Sequence, residues 1–419
     1  MVRLLKAVSL VVGVASRVLP AYGQSVEAHG VAAGRIYETV GQAPWTSGGY
    51  GRLTEGAEGP SDTRAGLRGR LHLGLDLKLS ETLRLHAHGT LQGEPSSSRG
   101  GLGGLVEAFL QYQPELTPRT TLRFRAGLFF PPTSLENTDR LWQSPYTITL
   151  SALNTWIGEE MRLTGLEAQL QGKIGRDDRL DLSGAVFGVN DPAGTLLAWR
   201  GWAFGDRLTT LGEALPLPPL ASFAPGGAFA DQRPDGTVPT DELDQRVGWQ
   251  ARARWARPGV ALVQGAYTDN GGDRGFYRGQ YSWHTRFAQA GFQIRLGKTL
   301  TLVAEGAAGD TGMGPDEPGG AHVDVRFRVA YALASWARKS VRFSVRVDGF
   351  RNEDQDGTAE PDDERGWSFT AAGFWKPRSF VRLGVEYVDV RASRPAARFS
   401  GADPDTDARR GQAEVRLQF

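Results

Sequence analysis

Apolar and polar residues alternate along most of the chain. In RLHLGLDLKL, Leu71, Leu73, Leu75 and Leu77 alternate with His72, Gly74, Asp76 and Lys78; in TLRLHAHGTL, Leu83, Leu85 and Ala87 alternate with Arg84, His86 and His88. SVRFSVRVDGF repeats the pattern with Val341, Phe343, Val345 and Val347 against Arg342, Ser344, Arg346 and Asp348. A period of two is that of a strand with one greasy and one wet face. The stretch from Tyr281 to Leu296 changes its apolar parity near Arg286, which predicts a bulge there. The chain ends on such a run: Ala413, Val415, Leu417 and Phe419 share one parity, so the last residue is expected to have a definite place in a sheet.

Two kinds of break separate these strands. Short ones carry turn residues: Ser80-Glu81, Thr117-Pro118-Arg119, Gly175-Arg176-Asp177-Asp178, Arg257-Pro258-Gly259, Gly297-Lys298, Arg338-Lys339 and Lys376-Pro377-Arg378. Long, Gly-rich, acidic ones fall around 38–63, 94–103, 130–160, 191–244, 270–279, 310–321, 352–365 and 394–408. Short and long connections alternate, as in a transmembrane antiparallel β-barrel with tight periplasmic turns and long external loops. Seven short and eight long connections imply about sixteen strands. The range is about 14 to 18, because GTLLAWRGWAF inside 191–244 reads either as loop or as strand.

Residues 1–23 read as a secretory signal peptide: basic Arg3 and Lys6, an apolar stretch from Ala7 to Ser16, and Ala21-Tyr22-Gly23 before a mature start at Gln24. The apolar stretch is short for a membrane anchor, which needs roughly 20 residues. The barrel is then 24–419. Cysteine is absent, which removes disulfides, thiolate metal sites and cysteine nucleophiles, and the net charge of +1 gives no case for nucleic acid. The 55 glycines and 11 tryptophans suit strands and turns better than helices. Phe129, Phe130, Trp255, Trp336, Trp367 and Trp375 are candidates for aromatic girdles.

If the aliphatic parity faces lipid, Arg68, Arg70, Arg84, Arg123, Arg125, Arg252, Arg254, Arg326, Arg328, Arg342, Arg346 and Arg382 face the lumen. They meet fewer acids there: Asp76, Glu107, Glu167, Asp181, Glu305, Asp324, Asp348 and Glu386. A modest excess of cations favours anions in a pore. The same arginines can equally pair with the acids and brace the wall.

The segment from Arg125 to Leu170 is the most individual part of the chain. Arg125, Gly127, Phe130, Pro131, Pro132, Leu135 and Glu136, followed by Glu159, Glu160, Arg162 and Gly165, resemble the phosphate-selective porin family of bacterial outer-membrane barrels. The resemblance implies that 130–160, the third long loop, folds into the barrel as a constriction. Glu136, Asp139, Arg140, Glu159, Glu160 and Arg162 would then face Arg123, Arg125, Arg326, Arg328, Arg342 and Arg346. It also implies a homotrimer, and the strand ending in Phe419 is similar to the sorting signal read by the barrel-assembly machinery. Lysines are few and sit mostly at short turns (Lys78, Lys298, Lys339, Lys376), so no lysine cluster marks a phosphate trap.

Other motifs carry less. NEDQDGTAEPDD places Asn352, Asp354, Asp356, Gly357 and Asp363 at calcium-loop spacing, but Asp replaces the final Glu and Pro361 interrupts the end. A solvated external loop, bridged to lipopolysaccharide by divalent ions, fits it better, and ADPDTD at 402–407 reads the same way. His72, His86 and His88 share the lumen parity without a Ser or Asp partner in a catalytic motif, and GGLGG is followed by no helix. No enzyme activity, metal or cofactor is expected. The sequence thus points to an outer-membrane porin passing small hydrophilic solutes, anions foremost. A closed-lumen structural or adhesion barrel acting through its loops is the alternative, and a secreted soluble β protein the third reading.

Overall fold

The computed structural model describes residues 25–59, 61–92, 102–315 and 322–419. The expected signal peptide and most of the 94–103 connection lie outside them. Among the described residues the wall has sixteen strands: β1 (Ser25–Val40), β2 (Thr63–Lys78), β3 (Leu83–Gln92), β4 (Gly103–Tyr112), β5 (Thr120–Phe129), β6 (Leu163–Ile174), β7 (Asp178–Gly188) and β8 (Gly248–Arg257) form one half. β9 (Ala261–Asp269), β10 (His284–Leu296), β11 (Leu300–Met313), β12 (Val323–Arg338), β13 (Val341–Asp354), β14 (Glu364–Arg378), β15 (Val381–Ser393) and β16 (Asp405–Gln418) form the other. The short piece Glu115–Thr117 extends β4 along the same neighbour, β5. Every strand pairs antiparallel with the next, and β1 pairs with both β2 and β16, so the sheet is closed.

Seven connections are short, from 79–82 to 379–380. Eight are long and are named here L1 (41–62), L2 (93–102), L3 (130–162), L4 (189–247), L5 (270–283), L6 (314–322), L7 (355–363) and L8 (394–404). The alternation read from the sequence therefore holds throughout. GTLLAWRGWAF belongs to L4 and makes a single π-turn, Leu196–Arg200, not a strand.

Phe419 closes the seam. Its N–H donates to the Gly30 carbonyl at 3.1 Å, and the Gly30 N–H donates to the Phe419 carbonyl at 2.9 Å. Its ring lies over Gly30, where an added Cβ would come within 2.5 Å of the ring. Glycine at 30 is thus what admits the terminal aromatic.

On the outside, Trp336, Phe343, Trp367, Phe369 and Trp375 are exposed, with Val345, Val347, Val385 and Val415 between them. From Trp375 to Trp367 the outward face of β14 is apolar, about 26 Å of strand at about 3.3 Å per residue, or roughly 20 Å of height once tilted. A closed strand wall leaves no backbone group unpaired in hydrocarbon. With this belt it is a membrane-spanning structure of the outer-membrane kind. Phe129 and Phe130 are not part of the girdle; both are buried inside.

The bulge expected near Arg286 is absent. β10 keeps continuous register with β11 from His284↔Gly312 to Leu296↔Leu300. The parity never changes; what changes is the environment. Phe292, Ile294 and Leu296 point outward into the belt, whereas higher on the same strand Phe287 points inward and Arg286 outward. Above the belt the outside is wet and the inside is greasy.

The greasy inside is a core made by the loops. L3 carries helix α1 (Ala152–Glu160), capped by the Ser151 hydroxyl, which accepts the Asn154 N–H at 3.1 Å. Trp156 of α1 makes edge contacts with Trp202 of L4, Phe287 of β10 and Phe327 of β12, with ring centroids 5.9, 5.1 and 5.4 Å away. Leu153, Ile157, Phe204, Leu208 and Val329 complete this cluster.

Candidate functional site

L3 enters the lumen and crosses it. The Thr133 carbonyl accepts from Gln264 of β9 and from Gln289 of β10 at 3.4 Å. Leu135 packs on Tyr331 and Leu333 of β12. The backbone at Ile148 and Thr149 donates to Glu386 of β15 at 2.5 and 3.0 Å. The tip reaches β2, where Leu141 lies against Gly74. Leu141 and Trp142 both hold positive φ, 56° and 57°, a conformation that non-glycine residues rarely adopt.

Glu136 and Arg346 form the centre of this crossing, at 2.5 Å and fully buried. Arg346 also binds Asp348 at 2.9 Å and the carbonyls of Thr149 and Leu150 at 2.8 and 3.0 Å. Glu136 in turn accepts the Ser151 N–H and the Asn154 amide, each at 3.0 Å. These residues bind L3 to the wall of β13. Asp139 is half-buried and Arg140 exposed at the tip. Arg342 is half-buried, donates to Ser335 at 2.9 Å and lies over Tyr146.

Glu159 and Glu160 hold L4. Glu159 pairs with Arg200 at 2.7 Å. Glu160 accepts the Trp156 indole N–H at 2.6 Å and the backbone N–H groups of Gly194 and Leu196 at 3.1 and 2.8 Å. Burial pushes the Glu160 carboxyl up to about 7, against those three donors. Because its folded value exceeds the ordinary 4.5, its stabilising contribution is complete below that value and is lost as pH rises through about 7. The span amounts to about 3 kcal/mol at most. Between about pH 4.5 and 7 the wild type should therefore lose stability relative to Glu160→Gln, whose side chain does not titrate. Tryptophan fluorescence melts across this range check it. Arg162 is buried beside the clamp, donating to the Gly158 carbonyl at 3.3 Å and stacking over Phe130.

L4 fills the long-loop half of the lumen. Every residue from Asn190 to Thr210 is buried. Asp206 reaches Arg35 at 2.6 Å and Arg70 at 2.7 Å, on β1 and β2. Trp202 donates to Asn352 of β13 at 2.8 Å, and Arg394 pairs with Asp362 of L7 at 2.9 Å while donating to the Ala198 carbonyl. From its sequence alone, 191–244 reads as an external loop. The signal available was its dense apolar content, with Trp199, Trp202 and Phe204 close together and no alternation.

Arg326 and Arg328 correct the lumen assignment. They are about half exposed on the outside of β12, as is Asp324 to a smaller degree, while Val325, Phe327, Val329, Tyr331 and Leu333 face inward. The rule that apolar residues face lipid fails here because the lumen they face is filled with tryptophan and leucine from L3 and L4.

Below L3 the lumen opens towards the short turns. A cavity of about 670 Å³ is lined by Arg119, Lys173, Arg179, Arg254, Arg257 and Arg295, against two acids, Glu115 and Asp181. Just above, Arg125 grips Glu167 through two bonds of 2.9 Å and stacks on Phe129, and Arg123 shares the same carboxylate at 3.3 Å. Arg125 is therefore neutralised. Arg252 is buried with one guanidinium nitrogen lacking a hydrogen-bond partner, as are the Nε groups of Arg123 and Arg254. The vestibule wall keeps more positive charge than it cancels.

The histidines do not gather into one centre. His72 and His88 contact each other at 3.1 Å, His86 bonds Asp76 at 2.8 Å, and His29 lies 3.5 Å from Asp76. The calcium-like spacing also disperses, because Asn352 points inward to Trp202 while Asp354 accepts the N–H groups of Asp356 and Asp362. Asp191, Glu242 and Asp244 bring three carboxylates within 4.8 Å, but Asp191 is occupied by the N–H groups of Leu243 and Asp244.

No protein-family model and no curated protein matches the chain. Its fold is similar to that of the outer-membrane channel DcaP of Acinetobacter baumannii, with a TM-score of 0.55 and 12% identity over 96% of this chain and 99% of that one. OmpF of Salmonella typhi, in complex with daunomycin, aligns at 0.55 and 10% identity over 95% and 98%. The anion-selective porin from Comamonas acidovorans aligns at 0.51 and 11% identity over 94% and 100%. The fold is thus that of bacterial outer-membrane porins.

Proposed function

We propose that the protein is an outer-membrane diffusion channel for small hydrophilic solutes, with a mild preference for anions and no covalent step. The observation that carries this reading is the basic vestibule below L3, where five cations face two acids, the sixth, Arg257, being paired with Asp178 at 2.7 Å. Such a lining raises the local concentration of anions and lowers their barrier to entry. The folded-in L3, the short-turn and long-loop alternation and the porin-like fold support it. Phosphate is one anion the vestibule would accept, through arginine rather than a lysine ladder. A homotrimer and delivery by the barrel-assembly machinery through the Phe419 strand belong to the same proposal.

The test is swelling of liposomes carrying the refolded barrel in isotonic solutes of matched size. Anionic solutes should enter faster than neutral ones, and cationic solutes slowest.

One observation favours a second reading. The buried run of L4 from Asn190 to Thr210 occupies the lumen above L3, as a closed structural barrel would require. No swelling with any solute, from protein shown to be folded by heat-modifiable migration, would establish that reading instead.

A further inference from the structure

The outward face above the apolar belt carries a charge arrangement that the wall does not balance. Arg328 of β12 stands directly opposite Arg351 of β13, and Arg351 directly opposite Arg365 of β14. Like charges at facing positions destabilise a sheet. One acid, Glu353, serves two of the three, at 3.2 Å from Arg328 and 3.1 Å from Arg351. Arg365 has no ion-pair or hydrogen-bond partner among the described residues and is exposed. The row spans about 10 Å across three strands.

Its height is as telling as its charge. One outward position below the row come Ala330, Gly349 and Trp367, followed by Ala332, Val347 and Phe369, the start of the lipid-facing belt. The row therefore stands at headgroup level on the long-loop side, the external leaflet. Arginine binds phosphate through two parallel bonds and is more weakly hydrated than lysine.

We infer that Arg328, Arg351 and Arg365 form a docking site for a phosphorylated glycolipid of the outer leaflet, whose phosphates would neutralise the row while its acyl chains lie on the belt below. The inference rests on the membrane placement of the proposed function but not on conduction, so a barrel with a closed lumen would bind the same lipid.

The test is native mass spectrometry of the refolded full chain in neutral detergent. It is titrated with bisphosphorylated lipid A, with its dephosphorylated form, and with inorganic phosphate as competitor. Wild type should retain the bisphosphorylated lipid and release the dephosphorylated one. Each single Arg→Gln change should weaken binding about fivefold and the triple change about 100-fold. Glu353→Gln, which removes the shared acid, should tighten it, and this variant keeps the test decisive if the triple variant folds poorly. Equal affinity of wild type, the triple variant and Glu353→Gln would overturn the site. So would full displacement by inorganic phosphate, which would mark a free-anion site with no preference for lipid.

Discussion

Arg346→Ala should release L3 from the wall and cost its docked state about 3–5 kcal/mol, the usual penalty for leaving buried carboxylates without their cation. Glu136 and Asp348, both fully buried, would lose the guanidinium that joins them, and the Thr149 and Leu150 carbonyls would lose a donor. The barrel itself should survive, because β13 remains paired with β12 and β14 along its length. Since each 1.4 kcal/mol is tenfold in an equilibrium, the ratio of docked to undocked L3 should fall by about 100-fold or more. The readout is a higher and noisier conductance in planar bilayers with unchanged heat-modifiable migration.

Trp202→Ala should loosen L4 to a similar extent. The indole is fully buried against Trp156, Phe327 and Phe350. Truncating an aromatic residue in a packed core costs about 3–5 kcal/mol, part of it for the cavity left behind. The change also leaves the Asn352 carbonyl oxygen without its indole donor. Conductance should rise, and limited proteolysis should cut within 190–210, which the folded protein shields. Trp249, exposed on the outer wall, serves as control, since its truncation leaves the plug intact.

The two variants touch what the sequence did not reveal. Turn and loop positions were legible because Gly, Pro and Asp clusters interrupt a period-two pattern, and the strand count followed from them. The place of Phe419 was legible for the same reason. Orientation was legible only where the inside is wet. On β13 the expected parity holds, with Arg346 inward and Val345 and Val347 outward; on β12 it inverts, because Phe327 and Val329 pack against α1. Nothing local in VDVRFRVAYALASW distinguishes a strand that faces lipid from one that faces a plug. The Glu136–Arg346 pair joins residues 210 positions apart, and only the three-dimensional path of L3 brings them together. Helix α1 was hidden inside a segment whose proline and glycine content reads as loop.

The same inversion explains the outer arginines. Arg326 and Arg328 look like pore residues if the belt is assumed to run the full strand length, because they alternate with Val325, Phe327 and Val329. They fall outside because this strand extends beyond the membrane, where water and headgroups replace lipid chains.

The central claim, an anion-leaning channel whose selectivity lies in the turn-side vestibule, is tested most directly by reversal potential across a planar bilayer under a KCl gradient. Wild type should show a potential of the sign set by chloride, and Arg254→Glu with Arg295→Glu should move it towards potassium. A potassium-selective wild type, or a chloride preference indifferent to both substitutions, would contradict the account.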